Sequence, residues 1–318
     1  MTIRAIAPAK INWTLEVLAE RPDGYHEVRS VMQTIDLCDT IEFVWTPGLR
    51  RSDEPPRDAP PGTLYLRSLG GPRLYWAGNV DLPPQFVPGT EVVYRVTQLL
   101  DPEFKRDVSI SLSKGIPIAA GLGGGSSNAA ATLRGLDRLW ELGLPDEELA
   151  RLAGEIGSDV AFFLVGGTAL AEGRGEQVTP LPDVPETWLV VVAPPIFMPE
   201  KTKTMYGALR SEDFSDGQRT ETLVVRLRRG ERVRGEDMCN AFERAAYESF
   251  EGLAGYRDRL LGAGAADVHL AGAGPALFAM FGSREEADGV AEAMAGSEAR
   301  VFVARTLGAA EATQMVSS

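Results

Sequence analysis

Four glycines fall within five residues, Gly121-Leu122-Gly123-Gly124-Gly125, and run straight into Ser126-Ser127-Asn128-Ala129-Ala130. Glycine reaches positive φ and lets the backbone approach a ligand closely. The residues that follow, up to Trp140, place apolar side chains at helical spacing, with the two serines as candidate caps. A helix that begins on a glycine turn presents free N–H groups and the positive end of its dipole, which favours phosphate. Its serine hydroxyls can donate to phosphate or lie near a magnesium ion. No Lys-Ser or Lys-Thr follows the glycines, so the loop is not of Walker type, and Ser126 stands where the third glycine of a dinucleotide fingerprint belongs. A structural strand-to-helix turn needs fewer glycines. The segment from Pro117 through Ser127 therefore reads as a phosphate-binding loop.

Charge and composition narrow the partners. The net charge of −13 opposes a broad nucleic-acid footprint, so cations for an anionic ligand must be gathered locally. The basic run Arg226 to Arg234 is diluted by acidic neighbours and reads as a solvated face or loop. Only five of the 32 basic residues are lysines, yet Lys10 and Lys114 stand beside the two strongest motifs. An ammonium and a guanidinium are not equivalent donors, which hints at chemistry. Cys38 and Cys239 form no disulfide framework and read as small core residues. His26 and His269 cannot build a His-rich metal site, so no metal ligand is assigned to the chain. No run is long and apolar enough for a bilayer, and no leader pattern opens the chain; a cytoplasmic monomer or homodimer is expected.

Alternation predicts strands at 3–7 and 11–18, joined around Pro8-Ala9-Lys10, and further strands at 28–35 and 40–45. Residues 46–62 are proline-rich and irregular, and a hairpin around Gly70-Gly71 is expected. Helices are expected at 90–100 and 146–156, with a strand at 108–112 between them, and Asp159 precedes the apolar segment 160–165. A composition shift near 180–185 marks a boundary, giving units of 1–184, with an insertion near 46–88, and 185–318. Beyond it, strands are expected at 188–193, 269–270, 276–281 and 300–304, and helices at 203–209, 241–249 and 284–295. The interleaving is mixed α+β, without a regular βαβ repeat.

Pro117-x-x-x-Gly-Leu-Gly-Gly-Gly-Ser-Ser resembles the phosphate loop of the GHMP kinase superfamily. Pro8-Ala-Lys-Ile-Asn-Trp-Thr-Leu15, Arg21-Pro-Asp-Gly-Tyr-His-Glu27, Gly157-Ser-Asp-Val160 and Leu270-Ala-Gly-Ala-Gly-Pro-Ala-Leu-Phe278 resemble the branch that acts on a cytidine-diphosphate-linked methylerythritol. The resemblance implies an α+β two-domain fold: an N-terminal ATP-binding domain, a C-terminal α/β sandwich domain and an active site between them. It implies ATP and Mg2+, with a new phosphate on the substrate's 2-hydroxyl.

It also implies roles. Asp159 accepts the hydroxyl proton and Lys10 stabilises developing negative charge. Pro117, Gly121, Leu122, Gly123, Gly124, Gly125, Ser126 and Ser127 hold ATP phosphates, and Lys114 lies near the ATP base. Tyr25 and Tyr206 stack the cytosine, His26 reads its edge, and Asn12 and Thr202 serve the acceptor. Taken singly, Asp159 could be a helix cap, Lys10 a strand ion pair and Lys114 a solvated lysine. Ala271 stands where the family carries Ser or Thr, and Thr90 where it carries Asn. A mevalonate- or homoserine-type kinase, or a silent ATP-binding regulator, is the alternative. Gly24-Tyr-His-Glu27 opposes the other kinases, because only a nucleobase reader needs it, and the retained Lys10 and Asp159 oppose the regulator.

Overall fold

A computed structural model describes residues 1–45, 63–68, 72–77, 90–103, 106 and 108–317. The irregular segment expected at 46–62 lies outside them. Two long strands, β1 (Thr2–Glu20) and β2 (His26–Val44), pair antiparallel and form the spine. The hairpin β3 (Thr63–Ser68) and β4 (Pro72–Ala77) joins through β5 (Val108–Ser113), which follows helix α1 (Thr90–Leu100). Next come α2 (Gly124–Leu139), α3 (Asp146–Ile156), α4 (Val160–Val165), β6 (Thr168–Gly173) and β7 (Gln177–Pro180). The chain continues through β8 (Trp188–Ala193), α5 (Lys201–Gly207), α6 (Gln218–Arg228), β9 (Cys239–Asn240), α7 (Glu243–Ser249) and α8 (Leu253–Gly262). It closes with β10 (His269–Leu270), β11 (Leu277–Phe281), α9 (Arg284–Ala293), β12 (Arg300–Arg305), α10 (Ala309–Ala312) and β13 (Met315–Ser317).

Two sheets result. The first runs β13-β1-β2-β5-β3-β4, with β6 and β7 branching from β2 and β9 pairing with β1. The second runs β10-β11-β8-β12. Helix α2 packs on β1 and β2 and α4 on β6 and β7 of the first sheet, α1 and α3 pack on these helices, and α9 packs on the second sheet.

The strands expected at 3–7 and 11–18 are one strand. Pro8 has no N–H to give, and β1 tolerates it because the partner register jumps there, from Pro8 opposite Cys38 to Ala9 opposite Ile35. Freed by this bulge, the backbone N–H of Lys10 donates to the Leu122 carbonyl at 2.9 Å. The segments expected at 28–35 and 40–45 are likewise joined within β2.

Residue parity divides β1. Ala5, Ala7, Ala9, Ile11, Trp13, Leu15 and Val17 are buried apolar positions, while Lys10, Asn12, Thr14 and Glu16 are buried and polar. The polar set is satisfied, as buried polar groups must be. Thr14 Oγ1 accepts from the Val31 N–H at 3.0 Å, and Glu16 accepts from Ser215 Oγ at 2.9 Å and the Thr220 N–H at 2.7 Å. Helix α6 is thereby fastened across the strand. The basic run at its end is solvated at Arg228, Arg229, Arg232 and Arg234, as expected, whereas Arg226 is drawn in by Glu231 at 3.1 Å and by Asp237. Helices α6 and α8 carry no strong start signal in sequence, since each is capped by a left-handed glycine, Gly217 or Gly252, and not by a hydroxyl or carboxylate side chain.

Candidate active site

The glycine run turns the chain from β5 into α2. Gly121 (φ 93°) and Gly123 (φ 73°) sit in the left-handed region, and Gly123 itself is the N-cap. The serines are therefore not the caps; Ser126 and Ser127 lie within the first helical turn. A Cβ on Gly121 would strike the Ala271 carbonyl, and one on Gly123 would lie 2.9 Å from Lys10 Cγ. Glycine is required at Gly121 because the backbone of the 271–275 turn closes on it, and at Gly123 because the Phe163 ring and the Lys10 side chain leave no room for a Cβ. The Ala276 N–H donates to the Ala120 carbonyl at 2.9 Å, and Asn240 Nδ2 donates to the carbonyls of Leu270 (2.9 Å) and Gly272 (2.8 Å). Ala271 is fully buried in this junction.

A cleft of about 800 Å³ opens over the loop. Its walls come from β1, the loop, the head of α4, the β6–β7 turn, the segment 197–206 and Gly272-Ala273. Lys10 Nζ stands 3.7 Å from Asp159 Oδ2, with the lysine side chain 5% exposed and the aspartate 37%. Lys10 Nζ also donates to Asn12 Oδ1 at 2.8 Å. Asn12 Nδ2 passes on to Ser30 Oγ (2.8 Å), and Ser30 Oγ to the Thr14 carbonyl (2.6 Å). Asp159 precedes α4, yet its side chain makes no cap bond. The capping alternative thus fails, and the carboxylate is left to the cleft.

Lys114 is not a solvated lysine. It pairs with Asp39, a fully buried aspartate that also accepts from the N–H groups of Gly115 (2.8 Å) and Ile116 (2.9 Å). The pair braces the entrance to the loop. Pro117 and Thr202 line the cleft. Ser127 Oγ is buried without a partner at the start of α2, as are both polar atoms of Asn128 one residue on.

At the other end, His26 stacks on Tyr206 with centroids 4.6 Å apart and planes 29° apart, and Phe242 meets Tyr206 edge-on at 4.9 Å. Burial pushes the Tyr206 hydroxyl up to about 12. Tyr25 is 53% exposed, and the Arg174 guanidinium lies 4.8 Å over its ring. The stacked pair is therefore His26 with Tyr206, while Tyr25 is covered by an arginine.

Three cleft cations escaped the sequence reading, Arg174, Lys201 and Lys203. Lys201 donates to the carbonyls of Ala119 (2.8 Å) and Gly274. Burial, followed by the charge of Lys10, pushes its ammonium down to about 8 against the opposing pull of Asp159. The scarcity of lysine that marked Lys10 and Lys114 could have marked Lys201 too.

Comparison with known proteins agrees with this layout. The family model for the GHMP kinases N terminal domain matches residues 91–167, and that for the GHMP kinases C terminal matches residues 224–299. A glycine loop entering a helix, with a cleft between two sheets, makes this a GHMP-type kinase fold. A 4-diphosphocytidyl-2-C-methyl-D-erythritol kinase of Geobacillus kaustophilus is 39% identical, over 97% of this chain and 98% of that protein. Its counterpart in Dehalococcoides mccartyi strain BAV1 is 36% identical, over 95% and 98%. The chain belongs to the 4-diphosphocytidyl-2-C-methyl-D-erythritol kinase family. A crystal structure of a 4-(cytidine 5'-diphospho)-2C-methyl-D-erythritol kinase superposes with a TM-score of 0.72 at 29% identity, covering 96% of this chain and 99% of that one. A homoserine kinase from Cytophaga hutchinsonii shares the fold alone, with a TM-score of 0.66 at 18% identity.

Proposed function

We propose that the chain is an ATP-dependent kinase that phosphorylates the 2-hydroxyl of 4-diphosphocytidyl-2-C-methyl-D-erythritol, a step of non-mevalonate isoprenoid synthesis. The observation that carries the reading is the Lys10–Asp159 pair at 3.7 Å, set on the wall of a cleft floored by a glycine loop.

Phosphoryl transfer asks the protein for position and charge more than for covalent chemistry. Asp159 accepts the proton of the attacking hydroxyl. Lys10 faces the oxygen on which negative charge develops. Asn12, bonded to that ammonium, fixes its direction and offers its amide to the methylerythritol end, with Thr202 across the cleft. The N–H groups of the loop and the first turn of α2 receive the nucleotide phosphates, and Lys114 lies towards the ATP base. The unpartnered Ser127 hydroxyl fits an oxygen-rich ligand at that turn. Among the described residues no group of three or more His, Cys, Asp or Glu side chains is placed to hold a metal. Magnesium would arrive on the nucleotide phosphates, with Ser127 beside it, and would neutralise their charge. Tyr206 and His26 offer a flat face to the cytosine, and Tyr25 closes on it when Arg174 gives way. The nucleotide half would span residues 1–184 and the acceptor half 185–318.

No helix of the described residues is long and apolar enough to cross a membrane. We place the enzyme in the cytoplasm, where its nucleotide substrate is.

The test is a coupled ADP-release assay with 4-diphosphocytidyl-2-C-methyl-D-erythritol, mevalonate and homoserine as acceptors. Phosphorus NMR locates the new phosphate. The expected result is turnover of the cytidylyl compound alone, at its tertiary alcohol. Faster turnover of mevalonate or homoserine would overturn the reading.

A further inference from the structure

Lys201 opens α5, and none of the roles above uses it. Its ammonium reaches two separate segments at once: the phosphate loop at the Ala119 carbonyl (2.8 Å) and the turn at 271–275 at the Gly274 carbonyl. Among the described residues, three non-glycine positions have left-handed backbone: Ala119, Glu141 and Glu200. Two of these meet at Lys201, Ala119 as its acceptor and Glu200 as its chain neighbour. Side chains with a Cβ hold that conformation only where their surroundings over-determine it. A compact ammonium with three donors suits two carbonyls approaching from different segments better than a planar fork does. The chain kept a lysine here although arginine outnumbers lysine 27 to 5.

We propose that Lys201 is a positioning residue for phosphoryl transfer, clamping the phosphate loop, the 271–275 turn and the head of α5 into one cradle beside the Lys10–Asp159 pair. This rests on the kinase reading above. The clamp is charge-assisted, so it weakens when the ammonium loses its proton. Lys10 from β1 and Asp159 from the head of α4 face it, while Glu200 and Lys203 on its own helix pair with each other at 3.9 Å. Its proton leaves near pH 8, well before that of a free lysine.

The experiment compares the full chain with Lys201→Met and Lys201→Arg. Hydrogen exchange at pH 7 without substrate should speed up at least about threefold over 117–123 and 271–276 in Lys201→Met. Exchange over β8 should stay unchanged. Equal exchange in both glycine segments would overturn the clamp, whatever the substrate proves to be. In turnover, Lys201→Met should lose about tenfold or more in kcat with little change in the acceptor KM, the signature of lost orientation. The wild-type alkaline limb near pH 8 should be absent from Lys201→Arg. An unchanged kcat, or the same limb in Lys201→Arg, would equally overturn the proposal. A wild-type chain inactive on the cytidylyl substrate would remove the proposed function and leave the exchange result standing.

Discussion

Asn12 Oδ1 accepts a hydrogen bond from Lys10 Nζ at 2.8 Å, so the amide two residues along the strand sets the direction of the ammonium. With the Asn12 amide also donating to Ser30, the lysine is held from one side by a neutral group and faces Asp159 on the other. A neutral partner steers the charge without cancelling it. Asn12→Ala should therefore cost about 1.5–3 kcal/mol of transition-state stabilisation, the worth of a bond to a charged group. Steady-state kinetics should show kcat/KM lower by about one to two decades.

Asp159 and Lys10 should separate chemistry from binding. Asp159→Asn and Lys10→Ala should each lower kcat by about 10² or more, with ATP affinity by calorimetry nearly unchanged. Because Asp159 makes no cap bond, its Asn variant should melt within about 2 °C of wild type, a shift of about 1 kcal/mol. Near-normal kcat in either variant would remove the assigned roles.

The loop glycines divide into two kinds. A Cβ on Gly121 meets backbone at 271 and 274, whereas one on Gly125 meets nothing within 4 Å. Gly121→Ala should disturb the fold of the loop and lower the melting temperature. Gly125→Ala should fold normally, so any rise in its KM for ATP reports how closely the phosphates approach that backbone. A Gly125→Ala enzyme with wild-type KM would move the phosphates away from this residue.

The ring of Tyr206 should serve the acceptor and not the nucleotide. Tyr206→Leu removes a stacking face worth about 1–3 kcal/mol. It should raise the KM for the cytidylyl substrate by roughly five- to a hundredfold and leave the KM for ATP alone. Tyr206→Phe should keep the stack and stay near wild type. Equal behaviour of the two variants would exclude stacking.

Burial pushes the Cys38 thiol up to about 12 and that of Cys239 to about 11. At pH 8 both should then be less than ~0.1% thiolate, and only the thiolate reacts. A chromogenic disulfide reagent should find no fast thiol in the native protein and two after denaturation. A fast native thiol would contradict this suppression of the two half-buried thiols.

Much of the fold was legible because local rules held. The apolar spacing of α1, α2, α3 and α9 was visible, as were the alternation of the long strands and the glycine signature of the loop. What sequence obscured were places where tertiary contacts override local preference. Pro8 argued for a break in β1, but a register jump absorbs it. Arg226 looked like part of a solvated run, but partners at 231 and 237 draw it in. In the site, Lys10 and Asp159 stood out through their motifs and proved to be neighbours. Lys201 and Arg174 did not, because their significance comes from which backbone and which ring they reach across the cleft. The stack of His26 on Tyr206 is likewise a contact between distant segments that local sequence does not reveal.

The parity of β1 has a consequence for how the molecule comes apart. Ile3, Ala5 and Ala7 belong to one apolar cluster, Ala9, Ile11 and Trp13 to a second, and Leu15 and Val17 to a third. One strand is thus the shared beam of three rooms, and no room can empty while the beam stands. Heating should melt both halves in a single calorimetric peak, and pulling on that strand should yield one rupture and not a staircase.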